Sequence, residues 1–139
     1  MTSSAAEPGE GHPNAQRVRA LFRAFAAGDV AAIQGAIAED AVWHFPGRRG
    51  QLAGSHRGHE AIFAFLGKVV ALTEGSFRLD LVDVVANADR AVALFRGHGR
   101  RGEHVLDNPT CLVIRLVDGR ASEIWEYVWD VEAVDAFWA

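Results

Sequence analysis

The chain has 139 residues, 50% of them hydrophobic and 23% charged, with a formal net charge of −4. That length supports one domain with a real core, and the composition is that of an ordinary globular protein rather than a disordered or fibrous one. The acidic balance and the lack of a long basic stretch argue against a nucleic-acid partner, and no apolar run reaches the ~20 residues of a membrane span. The single cysteine, Cys111, excludes an internal disulfide and fits a reducing cytoplasm, the expected location.

Residues 1–13 read as a disordered lead of small, polar and helix-breaking residues with no signal-peptide pattern. Residues 14–139 form the expected domain. In "AQRVRALFRAFAAGD" the apolar residues Val18, Leu21, Phe22 and Phe25 recur at helical spacing. Gly28 suits the end of that helix, and Asp29 can cap the next. "VAAIQGAIAED" places Val30, Ile33 and Ile37 on one helical face. "AVWHF" reads as a short strand stopped at Pro46-Gly47, and residues 47–58, with four glycines, read as a loop. "HEAIFAFLGKVVALT" is a third helix with Ile62, Phe65, Leu66, Val69 and Val70 inward.

The period then changes. "SFRLDLVDVVA" alternates as a half-buried strand does, with Phe77, Leu79, Leu81 and Val84 as its apolar members. "RAVALFRGHG" and "HVLDNPTCLVIRLV" are further strands, the second with a bulge expected near Asn108-Pro109. Asp118-Gly119 is a two-residue hairpin signal leading to "RASEIWEYVW". Asp130 can cap a short last helix, "VEAVDAFW". Three helices with one inserted strand, four antiparallel strands and a terminal helix make an α+β fold. A curved sheet wrapped on helices leaves a pocket between them.

The helix–"AAGD"–helix start, "AEDAVWHFPG", "GHEAIFAFL" and "DGRASEIWEYVWD" resemble the nuclear transport factor 2-like superfamily over about residues 14–138. Ketosteroid isomerase, limonene epoxide hydrolase, scytalone dehydratase and SnoaL-like polyketide cyclases share that fold. The resemblance implies a cone-shaped roll, a homodimer formed through the sheet, and no cofactor. The three polar groups of ketosteroid isomerase correspond here to Phe45, Leu21 and Leu112. Those of limonene epoxide hydrolase correspond to His44, to Arg96-x-His98, and to Glu126 or Tyr127, depending on how the last strand is counted.

The residues themselves support the same candidates. His44 lies in an apolar strand, where desolvation keeps imidazole neutral and able to act as a base; the alternative is a histidine of the pocket wall. Arg96 and His98 share a face with Val92 and Leu94, which predicts a core-facing pair that needs a partner such as Glu126. The alternative is a solvated rim. Trp125, Tyr127 and Trp129 share one face of the last strand, as a ligand wall, a core or an interface. The expected proton-handling and charge-stabilising set is therefore His44, Arg96, His98, Glu126 and Tyr127. The expected ligand wall is Leu21, Phe25, Trp43, Phe45, Phe65, Leu112, Trp125 and Trp129. His56-x-x-His59 is too few ligands for a metal, and Cys111 reads as an inert thiol. These features predict a cofactor-independent enzyme acting on a small, largely apolar molecule, by isomerisation, cyclisation, dehydration or epoxide opening. A non-catalytic binding or dimerising module is the other expectation.

Overall fold

The computed structural model describes residues 11–139, so residues 1–10 of the expected lead lie outside the described residues. The chain runs α1 (Pro13–Ala27), α2 (Val30–Ala36), β1 (Ile37–Phe45), β2 (Gly54–Arg57), α3 (Gly58–Leu72), β3 (Arg78–Ala86), β4 (Arg90–Arg101), β5 (His104–Val117), β6 (Arg120–Val128) and α4 (Val131–Phe137). The strands form one open sheet in the order β2-β1-β6-β5-β4-β3. Only the β1–β6 pair is parallel; the other four pairs are antiparallel. This is the expected α+β cone. No described helix is long and apolar enough to cross a membrane.

Local chemistry sets the element ends. Gly28 takes the left-handed conformation (φ 67°) that ends α1. Asp29 accepts the Ala32 N–H at the start of α2, and Asp130 accepts the Ala133 N–H at the start of α4. Asp118 and Gly119 both have positive φ, as the two-residue hairpin between β5 and β6 requires.

Four expectations need correction. Ile37 is the first residue of β1, not part of a helix. It pairs with Ala121, and its carbonyl accepts from His59 and Arg120, so the extended backbone is fully engaged. The glycine-rich stretch contains a strand, β2, folded back on β1 from Val42↔Arg57 to Phe45↔Gly54. Val70 and Val30 are exposed, because α3 and α2 bury narrower stripes than their composition implies. No bulge interrupts Asn108-Pro109, where β4 and β5 pair in continuous register. The Pro109 carbonyl accepts from Trp129 N, so the N–H that proline lacks faces the side of β6, just past the last residue of that strand.

Two apolar clusters fill the concave side of the sheet. One joins α1 and α2 to the inner residues of the strands, including Phe95, Ile114 and Ile124. The other gathers Leu52, Phe65, Val69, Leu106, Val134, Phe137 and Trp138. Trp43 and Leu66 pack against both. Helix α4 is pinned by the Asp135 carboxylate, which accepts the backbone N–H groups of Arg48, Arg49 and Gly50 at 2.6–3.0 Å. Gly47 (φ 105°) passes so close that a Cβ there would run into that carboxylate.

Candidate functional site

Strand periodicity sorts the candidates on the strands to one of two faces. On β5 the inner residues are Leu106, Asn108, Thr110, Leu112 and Ile114; on β6 they include Ile124, Glu126 and Val128. Between the two apolar clusters these faces leave a cavity of about 80 Å³. Leu21 and Phe25 from α1, Trp43 and Phe45 from β1, Phe65 from α3 and Leu112 from β5 all line it. The indole of Trp43 meets the Phe65 ring edge to face at 5.2 Å, which sets its angle.

Glu126 is the one acidic or basic side chain of that lining. It stands opposite Leu112 on β5 and accepts the Trp43 indole N–H through Oε1 at 3.1 Å. Desolvation raises its carboxyl pKa to about 7, against which the Trp43 hydrogen bond acts in the lowering direction. The residue as a whole is half-buried, and it lines the cavity. A carboxyl titrating there can hold a proton or take one at neutral pH. The count along the last strand that favoured Tyr127 is thereby corrected. Tyr127 points to the opposite face and is 58% exposed.

The other polar candidates do not reach the cavity. His44 alternates with Trp43 and Phe45, so it projects from the outer face. There its Nε2 lies 2.6 Å from Glu123 Oε2 and its Nδ1 lies 2.7 Å from Ser55 Oγ. A carboxylate only accepts, so Nε2 carries the proton of the bond to Glu123. The ring also stacks on Trp125, with centroids 5.9 Å apart. His44 therefore ties β1, β2 and β6 together.

Arg96 and His98 are likewise on the outer face, with Val92 and Leu94; the inner residues of β4 are Ala91, Ala93, Phe95, Gly97 and Gly99. Arg96 donates to Asp107 at 2.7 Å. His98 Nε2 sits 2.8 Å from Asp80 without making a hydrogen bond, and its Nδ1 is 3.7 Å from Asp107. Trp125 and Trp129 share that outer face, and Trp129 is 85% exposed. The expected single constellation of His44, Arg96, His98 and Glu126 is thus divided by the sheet.

His56 and His59 each donate to a backbone carbonyl, of Leu52 and Ile37 respectively. Among the described residues no group of three or more His, Cys, Asp or Glu side chains could hold a metal. Burial pushes the Cys111 thiol up in pKa, away from thiolate reactivity. Two polar cavity residues are absent from the expected site: Asn108, read as a bulge or turn residue, and Thr110. Their signal was present in the alternation Leu106, Asn108, Thr110, Leu112, which a presumed bulge obscured.

The family model described as "SnoaL-like domain" matches residues 18–124. An uncharacterized protein of Mycobacterium tuberculosis (strain ATCC 25618 / H37Rv) is 34% identical over 123 residues, covering 88% of this chain and 93% of that protein. The solved structure of Bal32a, from a soil-derived mobile gene cassette, is 37% identical with a TM-score of 0.88, covering 94% of this chain and 99% of that one. An NTF2-like protein from Burkholderia xenovorans LB400 is 26% identical with a TM-score of 0.77, covering 91% and 96%. The cone, its cavity and these matches agree, and the chain belongs to the SnoaL-like domain family of the nuclear transport factor 2-like superfamily.

Proposed function

We propose that the chain is a cofactor-independent SnoaL-like enzyme that performs acid/base chemistry on a small, largely apolar molecule held in the cavity. The observation that carries this reading is one carboxyl, Glu126, set in an apolar cavity and held by the indole of Trp43. A single proton carrier suits isomerisation best. The ionised Glu126 takes a proton from a carbon made acidic by a neighbouring carbonyl. The protonated Glu126 then returns it to another carbon of the same molecule. Cyclisation, dehydration and epoxide opening need the same proton traffic. The apolar walls exclude water and keep the carboxyl pKa near the working pH.

The direct check is carboxyl ¹³C NMR of the protein from about pH 4 to about pH 9, with and without small cyclic enones and epoxides. The expected result is one carboxyl with a midpoint near 7 that vanishes in Glu126→Gln and moves when a compound enters. Turnover of the compounds that move it should be lost in the same variant. A Glu126 midpoint in the ordinary carboxylate range, unmoved by every compound, overturns the reading.

The reading includes a cytoplasmic location and pairing with a second copy through the outer sheet face. Leu94, Tyr127 and Trp129 are exposed there beside the half-buried Val92 and Val113, more apolar surface than scattered single residues provide. Sedimentation of the protein and of Trp129→Glu tests the pairing. A dimer that the substitution splits supports it, and a monomer at every concentration refutes it.

A further inference from the structure

Asn108 and Thr110 form the second polar group of the cavity, and their hydrogen bonds leave one atom over. Both are nearly fully buried; Asn108 is 7% exposed. The Asn108 Nδ2 group donates to Thr110 Oγ1 at 2.8 Å, and the Thr110 hydroxyl donates to the Asn108 backbone carbonyl at 3.2 Å. A hydroxyl has one proton. In the structure's arrangement that proton goes to the carbonyl, and Thr110 receives from the amide NH₂. Asn108 Oδ1 is then the end left over, and no described residue donates to it. Asn108 lines the cavity, and an amide oxygen among apolar walls is normally matched by a donor.

The carboxyl lies elsewhere in the same cavity. Glu126 faces Leu112, four residues further along β5 than Asn108, or ~13 Å of strand at ~3.3 Å per residue. The two polar groups therefore serve different parts of a bound molecule. We propose that Asn108 Oδ1 is a specificity-determining acceptor. It selects molecules that carry a hydroxyl or N–H group on an apolar body, remote from the centre that meets Glu126, and Thr110 positions the amide for it. This rests on the reading of the cavity as the site for a small apolar molecule.

Phenol and toluene test it, because they differ only in a hydroxyl for a methyl. A plain apolar cavity takes toluene in preference, since phenol must give up its hydration. Binding is followed by methyl NMR of the cavity residues. The expected result is that the protein binds phenol about tenfold more tightly than toluene, the worth of one hydrogen bond. Asn108→Leu should reverse that order and Glu126→Gln should keep it. Thr110→Val, which frees the amide to rotate, should reduce the preference for phenol and let benzaldehyde, an acceptor, bind better than it does to the unaltered protein. It gives a second reading should Asn108→Leu not fold. If toluene enters and phenol shows no advantage, or if the advantage survives Asn108→Leu and disappears in Glu126→Gln, the role of Asn108 is overturned and the cavity reading stands. If neither compound enters at millimolar concentration, the cavity reading falls and takes this inference with it.

Discussion

The two faces of one sheet use polar residues in opposite ways. The outer face is rich in them, and they lie against one another, although His98 Nε2 makes no hydrogen bond. Arg96 donates to Asp107, His98 lies against Asp80, and His44 bridges Ser55 and Glu123. The inner face has few, and they keep hydrogen-bonding capacity in reserve. Glu126 has one oxygen on Trp43, and Asn108 keeps a free amide oxygen. A cluster of charged and imidazole groups therefore does not mark the site in this protein. The mark is a polar atom left without a partner in an apolar cavity, where its desolvation is costly until a ligand arrives.

The largest expected break in this comparison is in stability. Ile114 is fully buried on the inner face of β5. Replacing it by Ala should cost about 2–5 kcal/mol in denaturant unfolding, through lost transfer energy and the cavity left behind. Leu94, 42% exposed on the neighbouring strand, should cost less than about 1 kcal/mol when replaced by Ala. A Leu94→Ala cost that grows with protein concentration would show that a second copy covers the outer face. Equal costs for the two variants at low concentration would contradict the assignment of faces.

Next in size is the effect of pH through Glu126. Its pKa is raised from about 4.5 to about 7 by burial. The folded chain therefore binds this proton more tightly than the unfolded chain does. The stability linked to that proton is fully present below the unfolded pKa and is lost as pH rises through the folded one. Glu126→Gln has no proton to lose. It should match the unaltered protein near pH 4 and exceed it above pH 7 by roughly 3 kcal/mol. A constant difference across that range would mean that the carboxyl is not desolvated.

The fold was legible because its signals are local and agree with one another. Gly28 and Asp29 separate two helices, Asp118-Gly119 turns a hairpin, and Asp130 caps the last helix. The site was less legible, for reasons visible in particular strands. On β4 the outward residues Val92 and Leu94 are larger than the inward Ala91, Ala93, Gly97 and Gly99, so hydrophobicity points to the wrong face. The small residues are inside because neighbouring elements come close. A Cβ on Gly99 would lie 3.2 Å from Thr73 and 3.3 Å from Phe77. On β1, flanking Trp43 and Phe45 made His44 look buried with them, although adjacent strand residues face opposite ways. Glu126 and Tyr127 could not be separated by counting alone. The pairing of Leu112 with Glu126 separates them.

The smallest effect tests the two faces at a single peptide bond. His44 and Trp43 are neighbours in β1, and each holds a carboxylate on β6, but through opposite faces of the sheet. His44→Ala removes two hydrogen bonds and a ring stack on Trp125. Those groups are partly exposed, so the loss should be about 1–2 kcal/mol of stability. The titration of Glu126 should not move, because the sheet lies between them. Trp43→Phe keeps most of the apolar bulk and removes the one donor that favours ionised Glu126. That carboxyl should then titrate above its present value of about 7. Carboxyl ¹³C titration of the two variants reads both results. A shift of Glu126 in His44→Ala would mean that the histidine communicates with the cavity after all, and the division of labour between the faces would fail. A Trp43→Phe variant with an unmoved midpoint would mean that water, not the indole, sets the proton affinity of Glu126. The walls would then be too open to keep the cavity dry.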